Sequence, residues 1–169
     1  RHRTALELAH SVMAMRQLPL DLQFMSSQGR DDFIIGDSNR LAATWIDRWP
    51  DWPGQYRVLN LVGPAASGKG HLASIWREQA DAAIVGNLAD WRPDSDIGNV
   101  VLDNPVPGSY WPEEPLFHLV NATSHKACSL LIVSREPVAG LGWQLADLTS
   151  RLRSANLVRL ERPDDALLR

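Results

Sequence analysis

Residues Val58 to Leu72 read Val-Leu-Asn-Leu-Val-Gly-Pro-Ala-Ala-Ser-Gly-Lys-Gly-His-Leu. An apolar run rich in β-formers enters a turn of small residues. The turn opens into an amphipathic segment from Leu72 to Gln79, with Leu72, Ile75 and Trp76 on one face. A strand, a glycine-rich loop and a helix N-terminus in this order make an anion-binding device. Gly63 and Gly68 admit backbone angles that side chains forbid, so successive N–H groups can turn inward on one anion. Lys69 adds a mobile ammonium, and the spacing Gly63-x4-Gly68-Lys69 fits a phosphate-binding loop. One position departs from that pattern. Where a Ser or Thr would place a hydroxyl on Mg²⁺, the chain has Gly70. The departure weakens metal-assisted hydrolysis more than phosphate binding.

A chain of 169 residues suits one domain with a sizeable core. Its net charge of −3 argues against a surface built as a whole for DNA, although a local basic patch stays open. The single cysteine, Cys128, excludes an internal disulfide and fits a reducing, cytoplasmic compartment. Cys128 begins an apolar run and reads as a small buried hydrophobe. No apolar run is long enough to span a membrane, and the N-terminus lacks a signal-peptide layout. Strand and helix alternate along the chain. This predicts an α/β fold, a parallel five-stranded sheet flanked by helices.

Residues 1–14 read as upstream or appended sequence, 15–28 as an extended arm, 29–162 as the core and 163–169 as the start of a further helix. In the arm, Arg16-Gln17-Leu18-Pro19-Leu20-Asp21-Leu22 sets leucines at alternate positions beside a proline that disfavours helix. Such a segment either docks into a partner's hydrophobic groove, with Gln17 fixing the register, or packs on its own domain. Asp37 or Ser38 then caps a helix through Trp49, with Leu41, Trp45 and Trp49 on its apolar face and Ala42 and Ile46 beside them. Helical spacing favours core packing for Trp45 and Trp49 and leaves Trp52 open to either core or base stacking. Further strands are expected at Ala82 to Val85, Asn99 to Asp103, Ser129 to Ser134 and Asn156 to Leu160. Helices are expected from Glu113 to about Lys126, with Leu116, Phe117, Leu119 and Val120 inward, and from Leu145 to Leu152. Asn87 to Trp91 reads as one helical turn.

Polar residues at strand ends are the remaining site candidates. Asp103 ends an apolar strand, where an acid in such a protein can hold the water shell of Mg²⁺. Asn104 stands where a second acid would polarise the attacking water; an amide orients water but accepts protons poorly. Ser134 and Arg135 close a buried strand at the end where parallel sheets bind ligands. Glu113 and Glu114 read as helix-dipole partners in their own first turn. His118 and His125 lack a third ligand nearby, so a metal site is not expected there. His71 either approaches a phosphate or packs near the helix start. Of Arg151 and Arg153, one could reach a phosphate on a neighbouring molecule, or both are solvated. Arg151, Arg153, Arg159 and Arg162 make the C-terminal part basic, but without a recognition helix direct sequence-specific DNA binding is not expected.

Together these segments resemble the DnaA-type AAA+ initiator ATPases of bacteria, and more closely their regulators of the Hda type, over nearly everything from Arg16 to Leu168. Gln17 to Leu22 resembles the family peptide that binds the DNA sliding clamp, which implies contacts through Gln17, Leu18, Leu20 and Leu22. Phe33-Ile34-Ile35-Gly36-Asp37-Ser38-Asn39 resembles the segment against the adenine base, implying Ile35 and Gly36 there. Gly63, Pro64, Ala65, Ala66, Ser67, Gly68, Lys69, Gly70 and His71 match the Walker A loop, and Val100 to Asn104 the Walker B strand, which implies a Mg²⁺-side role for Asp103. Leu116-Phe117-His118-Leu119-Val120-Asn121 resembles the family helix that follows. Leu131 to Arg135 matches the sensor 1 strand, implying a catalytic role for Ser134. Asp147-Leu148-Thr149-Ser150-Arg151-Leu152 matches the box of the arginine finger, implying that Arg151 acts in trans on a neighbouring subunit.

The resemblance has departures. Gly70 and Asn104 replace usual catalytic positions, so an independently competent ATPase is not expected. The sequence reads as a core without the helical lid, the sensor 2 arginine or the DNA-binding domain, which points to a regulator and away from an initiator. The implied ligand is ADP or ATP, with Mg²⁺ weakened. The implied partners are the sliding clamp and DnaA, and self-association is compatible with both. The alternatives are an autonomous P-loop ATPase and a nucleotide-free adaptor.

Overall fold

The computed structural model describes residues 39–89, 98–125 and 128–162. The arm residues Gln17, Leu18, Leu20 and Leu22, the base-side candidates Ile35 and Gly36, and the expected caps Asp37 and Ser38 lie outside the described residues, as does the end of the turn expected at Asn87 to Trp91.

In chain order the elements are α1 (Arg40–Arg48), β1 (Val58–Val62), α2 (Lys69–Ala80), β2 (Ala83–Val85), β3 (Val100–Asp103), α3 (Glu113–Ala122), β4 (Leu130–Ser134), a 3-10 turn (Val138–Gly140), α4 (Ala146–Arg153) and β5 (Asn156–Arg159). The sheet is five-stranded and parallel, in the order β2-β3-β4-β1-β5. β1 and β4 are buried along their whole length, as strands covered on both faces must be. Alternate residues of the strands feed two separate cores. Leu59, Leu61, Val101, Leu131, Val133 and Val158 meet α1 and α2. Val58, Val100, Leu102, Leu130 and Ile132 meet α3 and α4 on the other face. Among the described residues no helix is long and apolar enough to cross a membrane.

Trp45, Trp49, Trp52 and Trp76 belong to the first core, and Trp111 and Trp143 to the second. Trp52, left open by the sequence, is 4% exposed. It stacks on Trp76 at 5.6 Å, and Trp49 meets Trp76 edge-on at 5.9 Å. Their polar ends are anchored: Trp52 donates to the Trp45 carbonyl at 2.8 Å and Trp49 to the Ser129 hydroxyl at 2.9 Å. Base stacking is therefore excluded for Trp52 in this state.

Several boundaries differ from expectation. α1 ends at Arg48, with Asn39 as its first flanking residue and no side-chain cap bond. Its inward face is Ala42, Ala43 and Ile46, and Leu41 is 62% exposed. The small alanines let the backbone approach the sheet, and the bulky indoles fill the flanks. α3 stops at Ala122, where the Thr123 hydroxyl donates to the Val120 carbonyl and accepts the Arg57 N–H. Phe117, expected inward, is only half-buried.

Trp76 is fully buried, and its indole N–H has no hydrogen-bond partner among the described residues. Trp76→Ala is expected to cost about 3–5 kcal/mol in urea denaturation. Trp76→Phe, which keeps an aromatic ring and removes the unpaired N–H but leaves a smaller cavity, is expected to cost less than Trp76→Ala in the same measurement.

Candidate functional site

The glycine-rich loop leaves the centre of the sheet. Beyond β1, the Gly63 N–H donates to the Ser134 carbonyl at 3.1 Å, and the Leu160 N–H donates to the Val62 carbonyl at 2.7 Å. The loop is thus clamped between the exits of β4 and β5. A Cβ on Gly63 would lie 2.7 Å from Ser67 Oγ and 2.9 Å from the Leu160 carbonyl oxygen, so only glycine fits. Gly68 takes φ +96° directly before α2, and Ala66 holds φ +66° despite its side chain. A left-handed alanine is a strained residue of the kind that collects at binding loops. The first helical bond of α2 runs from the Leu72 N–H to the Gly68 carbonyl at 3.1 Å. An α-helix leaves its first N–H groups without intrahelical acceptors, and here these belong to the loop end of α2.

Lys69 is the first residue of α2, and its Nζ donates to the Pro64 carbonyl at 3.0 Å. Burial holds this ammonium below the usual lysine range, Arg135 pushes it further down, and Asp103 opposes both. An anion at the loop would reverse that shift by favouring the charged form. Ser67 is 3% exposed, and its hydroxyl has no partner among the described residues. His71 is half-buried in the first turn of α2. The backbone from Gly63 to Lys69 therefore fits a phosphate-bearing nucleotide.

Mg²⁺ fits less well. Gly70 offers no oxygen, and the space where its side chain would stand is open to 4 Å. Asp103 ends β3 beside β4, but among the described residues no group of three or more His, Cys, Asp or Glu side chains could hold a metal ion.

The other candidates divide. Asn104 follows β3 with φ +58°, and its N–H donates to the Val133 carbonyl at 2.7 Å. Asparagine tolerates this left-handed backbone, which gives the residue a structural reason independent of chemistry. Ser134 is buried; its hydroxyl donates to the Glu136 carbonyl at 2.7 Å and accepts Asn60 Nδ2 at 2.9 Å. Asp103, Asn104 and Ser134 thus share the loop's end of the sheet.

Arg151 does not. It lies in the last turn of α4, its Nε donating to Asn121 Oδ1 at 2.6 Å. The guanidinium carbon is 5.0 Å from the Phe117 ring centre and 5.4 Å from that of Tyr56. Tyr56 precedes β1 whereas the loop follows it, so the five residues of β1, roughly 16 Å of extended chain, separate the two.

Sequence reasoning missed Asn60 altogether and the contacts of two residues it had named, Glu113 and Arg162. Asn60, 1% exposed in mid-strand, donates to Ile132 and Ser134 and accepts the Val138 N–H at 2.9 Å. An amide interrupting an apolar strand was its only signal. The Glu113 carboxylate accepts the N–H groups of Gln144 at 3.0 Å and Leu145 at 2.8 Å, and so anchors the segment that leads into α4 in addition to standing in the first turn of α3. Arg162 Nε donates to the Ala65 carbonyl at 3.2 Å, which sets a second cation on the loop.

No protein-family profile matches the chain, and no curated protein matches it in sequence. Solved structures do match. Domain III of the Thermotoga maritima replication initiation protein DnaA superposes with a TM-score of 0.64 at 18% identity, over 80% of this chain and 68% of that one. AMPPCP-bound DnaA from Aquifex aeolicus gives 0.63 at 18% identity, over 78% and 49%. A putative primosome component from Streptococcus pyogenes gives 0.62 at 16% identity, over 86% and 90%. The chain spans about half the length of the longer replication-initiator structures it matches. The fold is therefore the α/β P-loop fold of DnaA AAA+ domains.

The two loop glycines should respond oppositely to substitution. Gly63→Ala drives a Cβ onto the Leu160 backbone and is expected to cost about 1–3 kcal/mol in urea denaturation. Gly70→Ala meets nothing and is expected to be neutral or to stabilise by up to about 1 kcal/mol, because alanine is the better helix former.

Proposed function

We propose that the chain is a DnaA-type regulator of replication initiation. It binds adenine nucleotide, ADP or ATP, in the loop Gly63 to His71, and presents Arg151 to nucleotide held by a DnaA subunit. The observation that carries this reading is the placement of the two cationic sites at opposite ends of one sheet. Lys69 stands with the loop after β1; Arg151 stands beside Tyr56 before it. A phosphate met by Arg151 then belongs to another molecule. The names of the structural neighbours, DnaA with a bound ATP analogue among them, support the same direction.

The physical role of Arg151 is electrostatic. A guanidinium supplied from outside offsets charge developing on a transferring phosphoryl group. The Asn121 amide and the faces of Phe117 and Tyr56 hold its position while leaving it half-exposed. Lys69 and the loop amides would hold the chain's own nucleotide, with Asp103 and Ser134 beside them. Gly70 and Asn104 make the isolated chain a poor ATPase. The arm residues Gln17, Leu18, Leu20 and Leu22 would attach the protein to the sliding clamp by an extended docking peptide.

Steady-state ATP hydrolysis by the cognate DnaA is expected to rise on addition of this chain. Arg151→Ala is expected to lower that stimulation by about 10³-fold or more, with the melting transition retained. Undiminished stimulation by the variant would remove the finger assignment. Surface plasmon resonance on the cognate clamp is expected to show binding that Gln17→Ala/Leu20→Ala abolishes; equal binding by both would return the arm to a packing role.

A further inference from the structure

The sheet order sets the loop between two other strand exits, and each carries an arginine. Arg135 leaves β4 directly after Ser134, whose carbonyl accepts the Gly63 N–H at 3.1 Å. Arg162 follows the exit of β5, which is bound to β1 through the Leu160 N–H and the Val62 carbonyl at 2.7 Å. Its Nε rests on the Ala65 carbonyl at 3.2 Å. Both side chains are exposed at the same end of the sheet as Lys69. Acids stand there too: Asp103 at the end of β3, Glu136 beside Arg135, and Glu161 beside Arg162. Among these charged side chains only the arginines and Lys69 offer donors to an anion.

The loop itself is poor in metal ligands. A hydroxyl after the loop lysine normally reaches Mg²⁺, and the ion offsets the charge of the phosphates. Gly70 removes that hydroxyl although its surroundings leave room for one. The charge of a bound polyphosphate then falls to the protein. Arginine suits the task, because its planar fork donates two parallel bonds to phosphate oxygens and stays charged at any physiological pH.

We propose that the chain holds the phosphates of an adenine nucleotide without a divalent cation, Arg135 and Arg162 supplying positive charge from the two sides of the loop. The proposal rests on the nucleotide-binding reading above and extends it to the means of charge compensation. Arg162 acts here as a binding residue that also pins the loop, through Ala65, in the shape that receives the anion.

The test is titration of the full chain with a fluorescent ADP analogue, in Mg²⁺ and in EDTA. The wild-type dissociation constant is expected to differ less than about threefold between the two, since no protein oxygen follows Lys69. Arg135→Ala and Arg162→Ala are each expected to weaken binding about tenfold in EDTA, the loss of one charge-assisted contact. Arg162→Lys should recover part of that loss, and Gly70→Thr should restore dependence on Mg²⁺. Both arginines are exposed, so thermal melts of their variants should match wild type. EDTA abolishing wild-type binding would overturn the proposal, as would arginine variants that bind like wild type; in either case binding lost in Lys69→Ala would leave the nucleotide reading standing. No binding by the folded wild type in either buffer would overturn both.

Discussion

The glycine-rich loop is positioned by the backbone ladder that β1 makes on both sides at once. Val62 and Gly63 carry that ladder past the end of the strand, to Leu160 on one side and Ser134 on the other. The glycine-rich loop therefore starts from a point that neighbouring strands hold in place. The crowding at Gly63 follows from the same clamp, because Leu160 sits where a side chain would go. Buried backbone groups must be paired, so these bonds resist opening in a way that surface contacts do not. Asn60 reinforces them from within, joining β1 to β4 and to the 3-10 turn through every polar atom of its amide.

The same ladder separates two kinds of positive charge. Lys69, Arg135 and Arg162 gather at the carboxyl ends of the strands, and Arg151 is held at the amino ends by Asn121 and two aromatic faces. A parallel sheet has this polarity built in: loops at one end receive ligands, and the opposite end is free to face a neighbour. Glu113 contributes by holding the residues that lead into the helix carrying Arg151, so that helix is tied to α3 at two points, Glu113 and Asn121. Such tethering would reduce the entropy lost if the guanidinium met a phosphate on another molecule, as proposed.

Much of this arrangement was legible in advance. The run from Val58 to Leu72 identifies strand, loop and helix because each obeys a local rule: β-branched and leucine-rich residues, then glycines, then helical spacing. The later strands were found within a residue or so by their apolar runs. Trp45 and Trp49 were read correctly as packing residues. Leu41 was read on the apolar face but is exposed, because periodicity identifies a helix face only to within a neighbouring position; Trp52 was left open, because periodicity says nothing of residues after the helix. Asn104 was read for chemistry, whereas its φ of +58° supplies a conformational reason for asparagine. Glu113 was read within its own helix, and the bonds it makes to Gln144 and Leu145 join residues more than thirty positions apart.

The sequence by itself determined the fold class, the phosphate-loop geometry and the missing hydroxyl at Gly70, because these rest on local backbone freedom and on residue chemistry. Tertiary structure alone decided the company each side chain keeps. It set Arg162 on Ala65, Arg151 on Asn121, and Asn60 between Ile132, Ser134 and Val138. The physical reason is the order β2-β3-β4-β1-β5. It brings together strand ends that are distant along the chain, and no local rule of spacing records which exits will meet.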